Sequence, residues 1–147
     1  MPNVSARDLI GAWRLESWSL IHDDGRPPVF PLGPEARGMI IYTPGGEVSA
    51  TLMRAGRTAK TPASDAQKAT AFGESFAYAG RYEVRDATVF HSIEIATDPA
   101  LIGITSTRHI QLDGDRLVLS GPDFTAGTGR TQRIEWWRAA SPEVTRA

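Results

Sequence analysis

Two polar residues interrupt apolar stretches of the sequence, and both could do chemistry. His91 alternates with Val89 and Ile93, and Arg108 alternates with Ile110. Because successive side chains of a strand point to opposite faces, each pattern predicts that the polar group lies on an inward, mostly apolar face. Histidine titrates near neutral pH and suits acid–base catalysis, whereas arginine suits the binding of an anion.

A structural and a functional interpretation stay open for both residues. His91 is either a hydrogen-bonded core residue or a ligand-binding or catalytic group. Arg108 is either a clamp for an anionic ligand or the partner of a buried acid, because burial of an unpaired guanidinium is very costly. The predicted inward faces offer few acids, although Glu74 could reach inside if its helix caps the barrel mouth.

Eight segments of the chain have the composition of strands, and most of the links between them are short. Turns such as Pro44-Gly45-Gly46 and Asp113-Gly114-Asp115 favour antiparallel neighbours. Eight consecutive antiparallel strands predict an all-β, up-and-down barrel whose interior can hold one small ligand. The predicted strands are Ala12–Ile21, Gly38–Thr43, Glu47–Met53, Arg81–Arg85, Thr88–Thr97, Ile104–Leu112, Arg116–Ser120 and Arg130–Arg138.

One helix is predicted between the third and fourth strands. Ala69, Phe72 and Phe76 recur at the spacing of an amphipathic helix. We expect the helix Pro62–Tyr78 to close one mouth of the barrel, and Gly80 to act as its C-terminal stop.

Further polar side chains are expected around the cavity that His91 and Arg108 face. Strand alternation puts Tyr82 and Ser106 on inward faces. It also puts Ile95 on the same inward face as His91. The predicted ligand-binding set is His91, Arg108, Tyr82, Tyr42, Ser106 and Tyr78.

Tryptophans also lie in the first and last predicted strands. Trp13 and Arg138 both fall on inward faces. Trp18 falls on the opposite face from Trp13, and together with Trp137 it could form a patch for a homodimer.

Five motifs spread over nearly the whole chain carry a family resemblance. They are Gly11-x-Trp13, Gly38-x-x-x-Tyr42-x-x-x-Gly46, Tyr78-x-Gly80-x-Tyr82, Val89-x-His91, and the Arg108 strand that leads to Asp113-Gly114-Asp115-Arg116-Leu117. In this order they resemble the bacterial and fungal lipocalin-like domain family, which has calycin-type β-barrels. The resemblance implies a barrel in which Trp13 covers the closed end beneath Arg138, whose guanidinium can stack on the indole ring.

Two features separate the chain from the secreted lipocalins. Their T-D-Y motif is absent from the sequence, and their helix follows the barrel instead of interrupting it. Retinoid or pheromone transport therefore does not carry over to this chain.

Length and composition exclude several classes of function. The chain has 147 residues, which is typical of one domain, and we expect a barrel over residues 1–140 and a flexible tail over residues 141–147. The absence of cysteine excludes thiol catalysis, disulfides and cysteine zinc sites. A net charge of −1 argues against a nucleic-acid partner.

Other expected absences follow from local patterns. No apolar run is long enough for a signal peptide or a membrane span, so we expect a cytoplasmic protein without a membrane partner. His22, His91 and His109 are predicted to diverge, so we expect no metal site, and no motif indicates a cofactor.

Two functions use the same residues, and the sequence does not separate them. The first is the binding of a small, largely apolar molecule with an acidic or carbonyl end. The alternative is a cofactor-independent isomerase, cyclase or dehydratase in which His91 is the acid–base group. In that reaction Arg108 or a tyrosine would stabilise an enolate oxygen. A third interpretation is a fully packed barrel that works through its outer surface.

Overall fold

The computed structural model describes residues 4–122 and 129–140. Eight strands form a closed barrel in which each strand pairs antiparallel with the next, and β8 pairs with β1. The predicted up-and-down barrel is therefore confirmed. The elements are α1 (Ala6–Leu9), β1 (Gly11–His22), β2 (Arg37–Tyr42), β3 (Glu47–Met53), α2 (Asp65–Gly73), β4 (Ser75–Arg85), β5 (Thr88–Ala96), a short 3₁₀ helix (Pro99–Leu101), β6 (Thr105–Asp113), β7 (Arg116–Pro122) and β8 (Arg130–Arg138).

The helix between β3 and β4 is present, but it is shorter than the sequence predicts. It begins after Ser64, whose hydroxyl accepts a hydrogen bond from the Gln67 amide at 3.1 Å, and it ends at Gly73. The prediction that it continues to Tyr78 is wrong, because β4 begins at Ser75 and pairs with β3. The spacing of Phe72 and Phe76 fits a helix, but Phe76 lies in a barrel strand, whose backbone gains hydrogen bonds from the strands on both sides.

Gly80 is a strand glycine and not the helix stop that the sequence predicts. A Cβ atom there would lie 1.9 Å from the backbone oxygen of Ser92. The register between β4 and β5 shifts at this point, since Ala79 pairs with Ile95 whereas Gly80 pairs with Ile93. The extra residue turns Ile95 outward, where it is 66% exposed, so its predicted place inside is wrong.

A second bulge changes the orientation of Trp18. The register between β1 and β8 shifts between Leu15 and Ser17, so the alternation that starts at Trp13 is broken. Trp18 consequently faces the barrel interior and packs edge-on against Phe76 at 5.4 Å. The predicted outer patch of Trp18 and Trp137 therefore does not form.

One predicted segment, the tail over residues 141–147, lies wholly outside the described part of the chain. Within the described ranges, no helix has the length and apolar character needed to cross a membrane.

Candidate functional site

The barrel encloses a cavity of about 290 Å³. Its walls are mostly apolar, and the last turn of α2 contributes Phe72 and Gly73 to them. The interior is therefore not fully packed. The polar residues among its lining are Ser75, Tyr78, His91, Asp98, Ser106, Arg108 and Gln132, together with the indoles of Trp18 and Trp136.

Neighbouring strands β5 and β6 bring the two sequence-predicted polar groups together. The register is unbroken here: Val89 pairs with Arg108, and His91 pairs with Ser106. Paired residues of antiparallel strands point to the same face, so all three polar side chains enter the barrel. His91 is 2% exposed, Ser106 4% and Arg108 5%. The prediction that they share an inward face is confirmed.

His91 is held between two tyrosines. A hydrogen bond of 2.8 Å joins its Nε2 to the Tyr42 hydroxyl, and one of 2.9 Å joins its Nδ1 to the Tyr78 hydroxyl. Both ring nitrogens are thus occupied by protein groups. Tyr42 is 1% exposed and lies behind the cavity wall, whereas Tyr78 lines the cavity.

Burial dominates the electrostatics of this cluster. It lowers the pKa of His91 to about 3, with a further contribution from the positive charge of Arg108. The imidazole is therefore neutral at physiological pH. Burial also raises the pKa of Tyr78 to about 12 and raises that of Tyr42 well above its ordinary value. Both tyrosines are protonated at neutral pH.

Arg108 contributes a buried cationic donor to the cavity wall. Its Nη1 donates a hydrogen bond to the Thr107 carbonyl at 2.9 Å. A Cβ atom at Gly121 would lie 3.2 Å from the same Nη1 and 2.5 Å from the Thr107 oxygen, so glycine leaves room for the guanidinium there. Burial lowers the pKa of Arg108, although the neighbouring tyrosines oppose that shift. Glu74, the acid that the sequence suggests for the interior, lies 3.8 Å from Arg57 instead.

Two further polar groups of the lining are buried without a hydrogen-bond partner among the described residues. They are the Ser106 hydroxyl and the indole N–H of Trp136, which is 1% exposed. By contrast, Trp18 donates its indole N–H to the side chain of Gln132 at 3.0 Å. The cavity is therefore rich in donors: a guanidinium, an indole N–H and two hydroxyls.

The remaining sequence-predicted residues lie elsewhere. Tyr82 packs edge-on against Tyr42 at 4.8 Å and donates its hydroxyl to the Thr43 carbonyl at 2.8 Å, away from the cavity lining. Trp13 is fully buried and lies under Arg138. Both tyrosine neighbours of His91 were in the predicted set, but only Tyr78 is part of the cavity lining.

Trp18, Gln132 and Trp136 are among the lining residues that the sequence analysis missed as site residues. Trp18 was missed because no sequence pattern marks the bulge in β1. Gln132 and Trp136 lie on the inward face of β8, and the alternation that identified Arg138 extends to both of them.

His91 is poorly arranged for direct acid–base work on a ligand. It is neutral at physiological pH, and tyrosine hydroxyls occupy both of its nitrogens. Tyr78, Ser106, Arg108 and Trp136 also line the cavity. Each carries a hydrogen-bond donor.

A comparison with known protein families agrees with the barrel. The sequence model of a family described as a lipocalin-like domain matches residues 10–140. Among solved structures, the chain is similar to the lipoprotein YedD of Klebsiella pneumoniae, with 12% identity and a TM-score of 0.44 over 99% of this chain and 86% of that one. No curated protein matches the sequence.

Proposed function

The chain belongs to the lipocalin-like domain family, and from that premise we propose that it binds a small, largely apolar molecule inside its barrel. The ligand carries a carbonyl or carboxylate end, which accepts hydrogen bonds from Arg108 and its neighbours. Its apolar part lies against the aliphatic and aromatic walls of the cavity. This arrangement is typical of small-molecule sites, which combine apolar linings with a few polar anchors.

The observation that carries this proposal is the pair of buried donors at Ser106 and Trp136. Among the described residues neither has a partner, although both are at least nine-tenths buried. A buried donor without an acceptor costs about 1–3 kcal/mol. A ligand oxygen that accepts from either group would offset the cost at that group, and Trp136 can only donate. The positive charge of Arg108 in the same lining favours a carboxylate further.

The size of the cavity supports a compact ligand. Its volume of about 290 Å³ lies at the lower end of the range for small-molecule pockets, roughly 300–1,000 Å³. Octanoate is a suitable probe because it joins a short apolar chain to one carboxylate.

Calorimetric titration with octanoate tests the proposal. We expect saturable binding to the native protein and a loss of about tenfold or more in affinity for Arg108→Leu, because hydrogen bonds to charged groups are the strong ones. Circular dichroism checks that the variant keeps the fold. Arg81→Leu is the matched control, since Arg81 is exposed and pairs with Glu47 at 3.5 Å. Absence of binding, or equal binding by Arg108→Leu, would contradict the proposal.

A further inference from the structure

We propose that Tyr42, which does not touch the cavity, determines through His91 that the hydroxyl hydrogen of Tyr78 faces the ligand. The cavity then presents a donor at this position and selects a ligand end that carries no hydrogen of its own. This inference rests on the proposed function and deepens it, because it gives a residue outside the cavity a part in the choice of the ligand end.

The three side chains form one continuous chain of hydrogen bonds. The Tyr42 hydroxyl lies 2.8 Å from His91 Nε2, and the Tyr78 hydroxyl lies 2.9 Å from His91 Nδ1. A neutral imidazole has one N–H donor and one bare nitrogen acceptor. One tyrosine must therefore donate to His91 while the other accepts from it, so the chain has only two possible directions.

The surroundings of Tyr42 decide between the two directions. Its hydroxyl is buried, and His91 Nε2 is its hydrogen-bond partner within the described part of the chain. The neighbouring Tyr82 has its own acceptor, the Thr43 carbonyl. If Tyr42 accepted from Nε2–H, its own hydrogen would be buried with no acceptor, at a considerable cost. Tyr42 therefore donates to Nε2.

The direction of the remaining bonds follows from that first one. Since Nε2 accepts, His91 carries its hydrogen on Nδ1 and donates it to the Tyr78 oxygen. Tyr78 then cannot donate to His91, and its own hydrogen is left for the cavity that the ring lines. This arrangement of hydrogens requires a neutral imidazole. The pKa of His91, which is lowered to about 3, is consistent with that requirement.

The consequence is a preference among ligands of the same shape. A ketone, ester or carboxylate oxygen accepts from Tyr78 and brings no donor of its own. An alcohol also accepts, but its own hydrogen finds no acceptor at Tyr78, whose hydroxyl hydrogen points at the ligand, and only other lining groups such as Ser75 or Asp98 can take it. A neutral ketone is therefore expected to bind more tightly than the alcohol of equal length.

The first test reads the tautomer directly. In a variant with His22→Gln and His109→Gln, His91 is the sole histidine, because the sequence contains three. A long-range ¹H–¹⁵N correlation spectrum at pH 7 then separates the protonated ring nitrogen from the bare one. We expect hydrogen on Nδ1 in this protein. Hydrogen on Nε2 would overturn the inference whether or not a ligand binds.

The second test reads the consequence for binding. Tyr42→Phe removes the group that keeps Nε2 bare, so the Nδ1–H signal should weaken and Tyr78 can turn its hydrogen toward Nδ1. We expect the affinity for 2-octanone to fall about two- to tenfold, toward that of Tyr78→Phe, while the affinity for octan-2-ol changes less. Tyr82→Phe, which removes a hydroxyl from the adjacent ring, should leave both affinities unchanged.

The outcomes separate this inference from the proposed function. If neither probe nor octanoate binds the native protein, the proposed function fails. If they bind but Tyr42→Phe retains both the native tautomer and the native ratio of ketone to alcohol affinity, the role assigned to Tyr42 is overturned. Loss of ketone preference in Tyr42→Phe, with the Tyr82→Phe control intact, is the supporting result.

Discussion

Arg138 lies over Trp13 and covers it with its guanidinium group. The central carbon of that group is 4.2 Å from the centre of the Trp13 ring, while its Nη1 and Nη2 donate to the Ile10 and Asp8 carbonyls at 3.4 and 3.3 Å. Trp13 in turn donates its indole N–H to the Leu9 carbonyl at 2.9 Å. The pair therefore ties α1 to the first and last strands of the barrel.

Truncation of Trp13 tests how much that contact contributes to the stability of the fold. Trp13→Ala should lower the free energy of unfolding by about 3–5 kcal/mol, because it empties a fully buried site and removes a ring that Arg138 covers. Urea denaturation measures the change. Trp137→Ala is the control, since Trp137 is 46% exposed and should cost about 1 kcal/mol or less. A similarly small cost for Trp13→Ala would contradict the packing described here.

The bulge at Gly80 gives a second prediction. Gly80→Ala should destabilise the protein by about 1–3 kcal/mol or more, since the new methyl would meet the Ser92 backbone oxygen and no side chain can move aside. Gly73→Ala is the matched control, because nothing lies within 4 Å of a Cβ there. At that helical position alanine is expected to stabilise by about 0.5–1 kcal/mol. Equal effects of the two substitutions would refute the close approach at Gly80.

The buried histidine predicts a specific dependence of stability on pH. Burial lowers the pKa of His91 from 6.5 to about 3, so between these values the unfolded chain binds a proton that the folded chain does not. The stability that depends on His91 is therefore complete above about pH 6.5 and is lost as the pH falls. The expected slope from this group is about 1.4 kcal/mol per pH unit.

The pH prediction is measured by comparison with His91→Gln. Denaturation curves between about pH 6 and 5 should show a steeper loss of stability for the native protein than for the variant, since carboxylates contribute little in this range. An NMR titration of His91 gives a readout without any substitution, and its ring should stay unprotonated at pH 5. Protonation of the folded-state ring near pH 6.5 would contradict the burial described for it.

Sequence alternation predicts the centre of the site well because β5 and β6 pair without a bulge over the residues that face the cavity. His91, Ser106 and Arg108 all lie on the predicted inward face. A strand has a period of two residues, so one polar group among aliphatic ones is easily identified while that period holds.

The same rule fails wherever an extra residue enters a strand. Bulges turn Trp18 inward and Ile95 outward, and each reverses every assignment beyond it. The end of α2 was missed for a different reason. Phe72 and Phe76 match a helical spacing, and only the pairing of β4 with β3 decides that Phe76 belongs to a strand. That pairing joins residues distant in sequence, so local patterns do not contain it.

The most direct test of the proposed binding site uses the four tryptophans as reporters in a ¹H–¹⁵N spectrum of the indole N–H groups. Trp18 and Trp136 line the cavity, Trp13 lies under Arg138, and Trp137 is on the outside. Titration with octanoate should shift the signals of Trp18 and Trp136, with the larger shift at Trp136 as its N–H gains an acceptor, and leave Trp13 and Trp137 in place. A shift confined to Trp137, or no shift at saturating octanoate, would contradict a ligand site inside the barrel.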